Sequence, residues 1–318
     1  MSTIKPILGL DDAFGDRAKA LRALQFKLGS MYEEAGFSEV IPPLVERPEA
    51  LASGAGRFLS DQTIVFSDPA ATGLLAIRPD MTPQIARIVA TRLSQKKVLK
   101  LYYSGQVMLA RPDVRTGSRQ QWQTGVECLG LAGVEGDVEV MHLAALSMAA
   151  AGFKHAVLQV GHMGIIHALI EGSATSLEDW VALIARYSPE DLREHLAQEQ
   201  FSDAVQAALM ALASGQADAD WLQAYHGKIS KTFDKAAGEL ASLASTVRSK
   251  LSGEVAIEID AAVTPRFLYH NGMVFTGFAS GSAHALLHGG RYDKMMAAHG
   301  RDMPAVGFSL DLWAWLDK

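Results

Sequence analysis

Apolar side chains in residues 12–35 recur at intervals of three, four and seven positions, which is the spacing of one face of an α-helix. This pattern predicts an amphipathic helix over residues 12–35, and Gly36 supplies the left-handed residue that ends it. Residues 40–46 alternate like a strand but contain Pro42 and Pro43. Because proline cannot donate to a strand ladder, we expect this segment at the edge of a sheet.

The segments that follow predict a sheet with helices around it. Apolar and β-branched runs are separated by polar or glycine breaks, which is typical of strands joined by hairpins. The predicted strands cover residues 63–66, 74–78, 97–103, 121–129, 156–160, 255–260, 266–270, 273–278 and 285–287. Helical spacing predicts helices at residues 137–151 and 311–316. The chain is therefore expected to have an α+β fold built on an antiparallel sheet.

Residues 162–250 have a different character. They are rich in Ala, Leu, Gln and Glu and alternate like strands only in brief runs. We expect this stretch to be a helical insertion in a core that consists of residues 1–161 and 251–318.

Net charge limits the possible partners. The chain has 318 residues and a formal net charge of −6, without a run of basic residues. Since nucleic-acid binding draws most of its affinity from Lys and Arg side chains on phosphates, we expect no nucleic-acid partner. Charged residues or glycines interrupt the apolar stretches far short of the about 20 residues that a membrane helix needs. The N-terminus also lacks the pattern of a signal peptide, so we expect a cytoplasmic protein with no membrane contact.

The single cysteine, Cys128, excludes an internal disulfide. It lies in an apolar run, so we expect a small buried hydrophobic residue rather than a nucleophile. The histidines show no metal-ligand spacing, and Gly289-Gly290 is not followed by the Gly-Lys-Ser/Thr ending of a phosphate loop. We therefore expect neither a metal nor a cofactor.

Five short motifs follow one another along the chain. They are GFSEVIPPLVE at 36–46, RPDMT at 78–82, QTGVE at 123–127, GGRYD at 289–293 and AVGF at 305–308. In this order they resemble the signatures of class II histidyl-tRNA synthetases, and the resemblance covers nearly the whole chain. It implies a class II aminoacyl-tRNA synthetase-like antiparallel sheet flanked by helices, in which the first motif forms a homodimer interface. That family continues into an anticodon-binding domain, whereas this sequence stops at Lys318, so we expect no such domain.

The resemblance also implies a pocket for free histidine, whose ammonium, carboxylate and imidazole groups need acceptors, a cation and a hydrogen-bonding partner. By this resemblance Asp80, Thr82 and Gln123 hold the ammonium, Glu127 faces the imidazole, and Arg266 meets the carboxylate. Gln123 and Glu127 are four residues apart on a predicted strand, so we expect them on the same face.

Tyr269 and His270 align with a pair of tyrosines in the family and complete the implied histidine-binding set. This sequence departs from the family pattern here in two ways. The loop over residues 266–274 is one residue shorter, and His270 replaces a tyrosine. Which of Tyr269 and His270 meets the imidazole therefore stays open.

The positions that hold ATP in the family carry different chemistry in this chain. Leu109 replaces the family's arginine that binds the α-phosphate, and Arg111 replaces an acidic residue. Gln121 replaces the phenylalanine that stacks on adenine, and Ala314 replaces the arginine of the third motif. Adenylyl transfer depends on cations around the developing charge, and losing one such donor costs about a hundredfold or more in rate. Although Arg119 remains, we predict that the chain does not activate histidine.

The sequence combines an implied amino-acid pocket with the loss of the ATP contacts. In this combination it resembles a group of truncated histidyl-tRNA synthetase paralogues, the regulatory subunits of ATP phosphoribosyltransferase. This resemblance implies a partner, the short-form catalytic subunit, in a hetero-octamer of four plus four chains. It further implies a non-catalytic chain that activates this partner and mediates feedback inhibition by histidine in histidine biosynthesis.

Two alternatives remain open. The first is a histidine-adenylating ligase that acts on a non-tRNA acceptor, which requires ATP binding despite Leu109, Gln121 and Ala314. Histidine-dependent ATP–pyrophosphate exchange distinguishes it. The second is a structural assembly subunit with a vestigial pocket, which predicts no histidine binding at all.

Overall fold

The computed structural model describes residues 5, 7–54, 57–113, 116–185, 188–251, 253, 255–265 and 268–316. Its strands are β1 (Ser38–Glu39), β2 (Val45–Glu46), β3 (Ile64–Ser67), β4 (Leu74–Ile77), β5 (Leu99–Met108), β6 (Gln120–Leu129), β7 (Ala156–His162), β8 (Val255–Ile259), β9 (Met273–Phe278), β10 (Leu287–Arg291) and β11 (Ala305–Asp311). Its helices are α1 (Gly15–Glu34), α2 (Pro48–Ala52), α3 (Arg57–Asp61), α4 (Thr82–Thr91), α5 (Val134–Ala150), α6 (Met163–Leu169), α7 (Leu177–Ala185), α8 (Pro189–Leu196), α9 (Asp203–Ala213), α10 (Ala219–Tyr225), α11 (Lys231–Lys250), α12 (Asp293–Ala298) and α13 (Leu312–Leu316).

The main sheet has the strand order β1-β5-β6-β11-β10-β9-β7-β8. Its centre is antiparallel, as the hairpin-like breaks predict, and β5 and β6 pair along their whole length. The pairs β1–β5 and β7–β8 at the two edges are parallel instead. β7 and β8 are parallel because a long helical segment between them returns the chain across the sheet. The predicted α+β architecture is confirmed, with the correction that the sheet is mixed.

The segment around Pro42 and Pro43 is not the single edge strand predicted for residues 40–46. β1 pairs with β5, whereas β2 belongs to a second sheet of order β2-β4-β3. The buried Arg78 explains this division, because its Nη1 donates to the carbonyl of Pro42 at 2.7 Å and to that of Pro43 at 3.3 Å. The Pro43 carbonyl also accepts from Gln84 Nε2 at 2.9 Å, so the proline carbonyls bond to side chains rather than to a neighbouring strand.

Between β7 and β8 the chain forms the helices α6 to α11, as its composition predicts. Helices α8 to α11 each begin after a Ser or Asp whose side-chain oxygen accepts a backbone N–H, a cap that stabilises a helix by about 1 kcal/mol. The capping residues are Ser188, Ser202, Asp218 and Ser230. α11 packs against α5, α6 and β8, so this helical segment lies on the main sheet. The division of the chain into a core and a 162–250 insertion stays a prediction.

Apolar side chains pack on both faces of the main sheet. Along β5, Leu101 and Tyr103 belong to a smaller cluster with α4 and α12, whereas Tyr102 belongs to a larger cluster with α1 and α5. This alternation follows from the two-residue period of a strand. Cys128 is fully buried in the larger cluster, which confirms its predicted role as a small hydrophobic residue. Over the described ranges, each helix is too short or too polar to cross a membrane.

Two strand predictions near the site need correction. The end of the strand predicted over 266–270 is not a strand, since residues 268 and 269 form a turn and His270 is irregular, while residues 266 and 267 lie outside the described residues. The strand predicted for residues 285–287 instead begins at Leu287 and runs to Arg291 as β10. Glycine at position 289 allows this strand to pack against β9, because a Cβ there would lie 2.3 Å from the ring of Phe275.

Candidate functional site

One face of β6 carries Gln123 and Glu127, as their spacing predicts. Both side chains are buried, with 7% and 1% of their surface exposed. In the ladder Glu127 lies between Leu101 of β5 and Gly307 of β11. A Cβ at Gly307 would lie 1.8 Å from Oε2 of Glu127. Glycine at position 307 therefore makes room for the carboxylate.

Three hydroxyl groups surround the Glu127 carboxylate. Thr82 Oγ1 donates to Oε1 at 2.9 Å, and Tyr103 OH donates to the same oxygen at 3.2 Å. Tyr292 OH donates to Oε2 at 2.6 Å. Since these residues come from α4, β5 and the end of β10, three separate parts of the fold converge on one buried carboxylate. Such donors are what a carboxylate needs when it is removed from water.

Burial raises the pKa of the Glu127 carboxyl from its ordinary value of 4.5 to about 8, because the charged form loses its water. The hydroxyl donors oppose this rise, whereas the neighbouring Asp80 carboxylate adds to it. Burial also raises the pKa of the tyrosines around the site far above the ordinary value, so they stay protonated donors at neutral pH. These tyrosines are Tyr103, Tyr269 and Tyr292.

A second buried carboxylate, that of Asp80, lies beside Glu127. Gln123 Nε2 donates to Asp80 Oδ1 at 2.6 Å, and Gln123 Oε1 accepts from the backbone N–H of Met81 at 2.9 Å. Tyr269 OH donates to Asp80 Oδ2 at 3.3 Å. Gln123 therefore uses both ends of its amide to fix the segment that carries Asp80.

The space between these groups is too small for an amino acid, and we call the site closed in this sense. Its volume is about 20 Å³, which leaves room for about one water molecule. Tyr269 and His270 both line it, and their rings stack with centroids 4.5 Å apart. An amino acid needs more room than this space provides.

A larger cavity of about 410 Å³ adjoins the closed space, and His288 and Ser309 line both. Gln121 and Ala314, two of the positions that hold ATP in the resembled family, form part of its wall. Of its described lining residues, Arg17 is the only Lys or Arg. The guanidinium of Arg17 lies 4.8 Å from the centroid of the Trp313 ring.

The other altered ATP positions bring no further cation to this cavity within the described part of the chain. Leu109 is buried, and Arg119 Nε donates to the Leu109 carbonyl at 3.2 Å. Arg111 is exposed at the surface. In the same described ranges no three His, Cys, Asp or Glu side chains are grouped so that they could hold a metal ion.

Comparison with known proteins identifies the family of this chain. The family model for histidyl-tRNA synthetase matches residues 9–314. The ATP phosphoribosyltransferase regulatory subunit of Janthinobacterium sp. (strain Marseille) is 34% identical over 306 residues, which are 95% of this chain and 78% of that protein. The protein of the same name from Chromohalobacter salexigens is 34% identical over 96% of this chain and 79% of its own length. The chain belongs to the histidyl-tRNA synthetase-like family of ATP phosphoribosyltransferase regulatory subunits.

Solved structures of similar proteins have the same fold as this chain. The chain superimposes along its whole length on an ATP phosphoribosyltransferase regulatory subunit/histidyl-tRNA synthetase from Bacillus halodurans, with a TM-score of 0.87, 23% identity and 84% of that chain covered. A histidyl-tRNA synthetase from Nostoc sp. PCC 7120 gives a TM-score of 0.82 at 18% identity, with 100% of this chain and 75% of that chain covered. The predicted class II synthetase-like fold is confirmed.

Within this family fold, most of the predicted site residues lie together. Hydrogen bonds join Asp80 to Gln123 and Tyr269, and join Glu127 to Thr82. His270 completes the group through its stack on Tyr269. Arg266 lies outside the described residues.

The family motifs do not predict two residues of the site, Tyr103 and Tyr292, although each lies in or opposite a motif. Tyr103 pairs with Gly125 of the QTGVE motif, where a Cβ would lie 2.7 Å from the Tyr103 hydroxyl. Tyr292 belongs to the GGRYD motif and follows its two glycines. In the closed site the hydroxyl on Glu127 Oε2 is that of Tyr292, whereas Tyr269 donates to Asp80.

Proposed function

We propose that the chain is a non-catalytic regulatory subunit of ATP phosphoribosyltransferase that senses histidine in histidine biosynthesis. The main support for this proposal is the difference between the two neighbouring parts of the site. A full set of polar groups surrounds Asp80 and Glu127, whereas the adjoining cavity lacks the family's phosphate-binding arginines at Leu109 and Ala314. Two relatives of that name, each 34% identical over at least 95% of this chain, support the same function.

Histidine suits the two buried carboxylates. Its ammonium group matches Asp80, and its imidazole can take up the proton that the raised pKa keeps on the Glu127 carboxyl near neutral pH, so both interactions become charge-assisted hydrogen bonds. Each such bond contributes about 1.5–3 kcal/mol. Thr82 and Gln123 orient these carboxylates, and we assign the ligand carboxylate to Arg266 on the family resemblance.

Histidine binding in this proposal replaces tyrosine hydroxyls with ligand N–H groups. Tyr269 OH now donates to Asp80, and Tyr292 OH now donates to Glu127. Because the ligand brings donors for the same oxygens, both carboxylates stay hydrogen-bonded in the open and the closed site. The required movement falls on the stacked rings of Tyr269 and His270. An effector acts by binding one of two conformations more tightly, and this displacement supplies two conformations.

The proposed partner is the short-form catalytic subunit, in a cytoplasmic hetero-octamer of four regulatory and four catalytic chains. The test is co-expression of this chain, carrying an affinity tag, with the short-form catalytic subunit of the same organism. We expect the two chains to co-purify, and we expect this chain to raise the rate of phosphoribosyl transfer from PRPP to ATP. Histidine should inhibit the complex. A catalytic subunit that is neither captured nor stimulated contradicts the proposal.

The adenylating alternative has its own test, histidine-dependent ATP–pyrophosphate exchange. We expect no exchange, because Arg17 is the only Lys or Arg among the described residues that line the cavity beside the pocket. A histidyl-tRNA synthetase serves as the positive control. Exchange above that of heat-inactivated protein would show that the chain still activates histidine.

A further inference from the structure

A second cavity, of about 400 Å³, lies between α11 and the main sheet. Its walls include Lys235 and Glu239 of α11, His162 at the end of β7, and Arg291 at the end of β10. None of its described lining residues lines the closed space around Glu127, and neither the family motifs nor the proposed function assigns it a ligand. It is large enough for a small organic molecule, since ligand sites begin at about 300 Å³.

The cavity wall contains a buried acceptor without a partner. Asn271 Oδ1 is buried and receives no hydrogen bond, although the backbone N–H of Asn271 donates to the Arg291 carbonyl at 2.8 Å. A buried acceptor of this kind is costly to leave unsatisfied. The Cβ–Cγ torsion of an amide is soft, so a small rotation turns this oxygen toward a donor in the cavity.

The cations around the cavity are already engaged. Arg291 Nη2 donates to Asp137 at 2.5 Å and to the Gly133 carbonyl at 2.9 Å, and its Nη1 lies 3.3 Å from Asp293. Lys235 lies 3.8 Å from Glu239, but its side chain is 78% exposed. An exposed ion pair of this kind contributes little to stability, so Lys235 is readily displaced.

His162 is a donor toward the same carboxylate. Its Nδ1 accepts from the backbone N–H of Gly164 at 3.0 Å, so the neutral ring carries its proton on Nε2. That nitrogen lies 3.4 Å from Glu239 Oε2. Burial lowers the pKa of His162, which keeps the ring neutral and adds no positive charge to the cavity.

The charges and acceptors of this cavity therefore favour a donor-rich cation. Among its described lining residues the carboxylates of Asp137, Glu239 and Asp293 outnumber the cations of Lys235 and Arg291. We propose that the cavity binds a small molecule with a primary ammonium group, which donates to Glu239 and to Asn271 Oδ1. Such a molecule satisfies the unpaired amide oxygen and the excess of negative charge together.

The test measures binding of butylamine by NMR titration, with butan-1-ol as a neutral probe of the same chain length. We expect butylamine to bind more tightly than butan-1-ol. Glu239→Gln should weaken butylamine binding about threefold, because the ion pair that it removes is partly screened by solvent at the half-exposed Glu239. Asn271→Ala should weaken it as well. Glu194→Gln, at an exposed position on α8, is the matched control and should bind like the wild type.

Glu239→Gln decides the outcome if Asn271→Ala lowers the melting temperature, because the Glu239 side chain is half-exposed. Butylamine binding that is absent, no tighter than that of butan-1-ol, or equal in wild type and Glu239→Gln overturns the proposal.

Discussion

At the scale of single residues, Glu127 makes stability depend on pH. Its pKa is about 8 in the folded protein and 4.5 when the carboxyl is not perturbed. Between these values the folded state keeps a proton that the unfolded state has lost, so a rise in pH lowers the free energy of unfolding. One such proton gives a slope of up to about 1.4 kcal/mol per pH unit. Glu127→Gln should remove this slope.

Urea denaturation from about pH 5 to about pH 8 measures this effect. Glu178→Gln, at an exposed position on α7, is the matched control and should keep the wild-type slope. Equal slopes in wild type and Glu127→Gln would mean that Glu127 does not hold the additional proton.

Gly307 is the second residue that tests the packing of the site. A Cβ at this position would lie 1.8 Å from Glu127 Oε2 and 2.5 Å from the Val126 carbonyl oxygen, so the carboxylate or the strand must shift. Gly307→Ala should lower the free energy of unfolding by about 1–3 kcal/mol. Gly238→Ala in α11 is the matched control, because a Cβ there meets no atom within 4 Å. It should stabilise the helix by about 0.5–1 kcal/mol.

Chemical denaturation of the two glycine variants provides the comparison. A Gly307→Ala protein as stable as wild type, with unchanged histidine binding, would contradict the close packing of Glu127 against β11.

At the scale of elements, the small sheet β2-β4-β3 predicts self-association. Apolar side chains on or beside it are exposed, which is unusual for a protein that acts alone. Their exposed fractions are 79% for Ile41, 47% for Leu44, 46% for Val65, 36% for Phe66 and 56% for Leu74. The Pro42-Pro43 segment beside them is the motif that forms the dimer interface in the resembled family. We propose a dimer with two-fold symmetry, in which both partners use this same surface.

Ile41→Asp tests the dimer, because it places a charge in the proposed interface. We expect light scattering at micromolar concentration to give a dimer mass for wild type and a monomer mass for Ile41→Asp. Ala182→Asp, which adds the same charge at an exposed position on α7, should remain a dimer. A monomeric wild type, or a dimeric Ile41→Asp, counts against this interface.

The elements also show which sequence patterns were sufficient. Apolar spacing predicts α1 within a few residues, and alternation predicts the β5–β6 hairpin. These patterns are local, because each depends on one buried face. The break at Pro42 and Pro43 depends instead on Arg78, a residue some 35 positions away in sequence, as the separations of its bonds show. Single-segment patterns carry no information about such a contact.

The same distinction holds for the site. Motif order places Asp80, Thr82, Gln123 and Glu127, because each lies in a string that resembles the family. The closed state is not readable from the sequence. It depends on where the hydroxyls of Tyr269 and Tyr292 point, and this follows from tertiary packing.

At the scale of the whole molecule, the main sheet supports two neighbouring halves of one site, and these halves differ in their polar groups. The half around Glu127 keeps a dense set of hydrogen bonds, whereas the half beside it is a cavity of about 410 Å³ whose wall contains Ala314 in place of a family arginine. We therefore predict that the chain has kept histidine binding and has lost adenylation. Regulation of a partner enzyme requires only the first of these activities.

Histidine binding and feedback, measured together on Glu127→Gln, test this claim most directly. Calorimetric titration of histidine into wild type and Glu127→Gln is paired with histidine inhibition of each chain assembled with the catalytic subunit. We predict about tenfold or more loss of histidine affinity, because the change removes a hydrogen bond to a charged group, with a parallel loss of inhibition. Unchanged affinity would remove Glu127 from the histidine pocket. Lost affinity with unchanged inhibition would contradict the account by placing the regulatory histidine at another site.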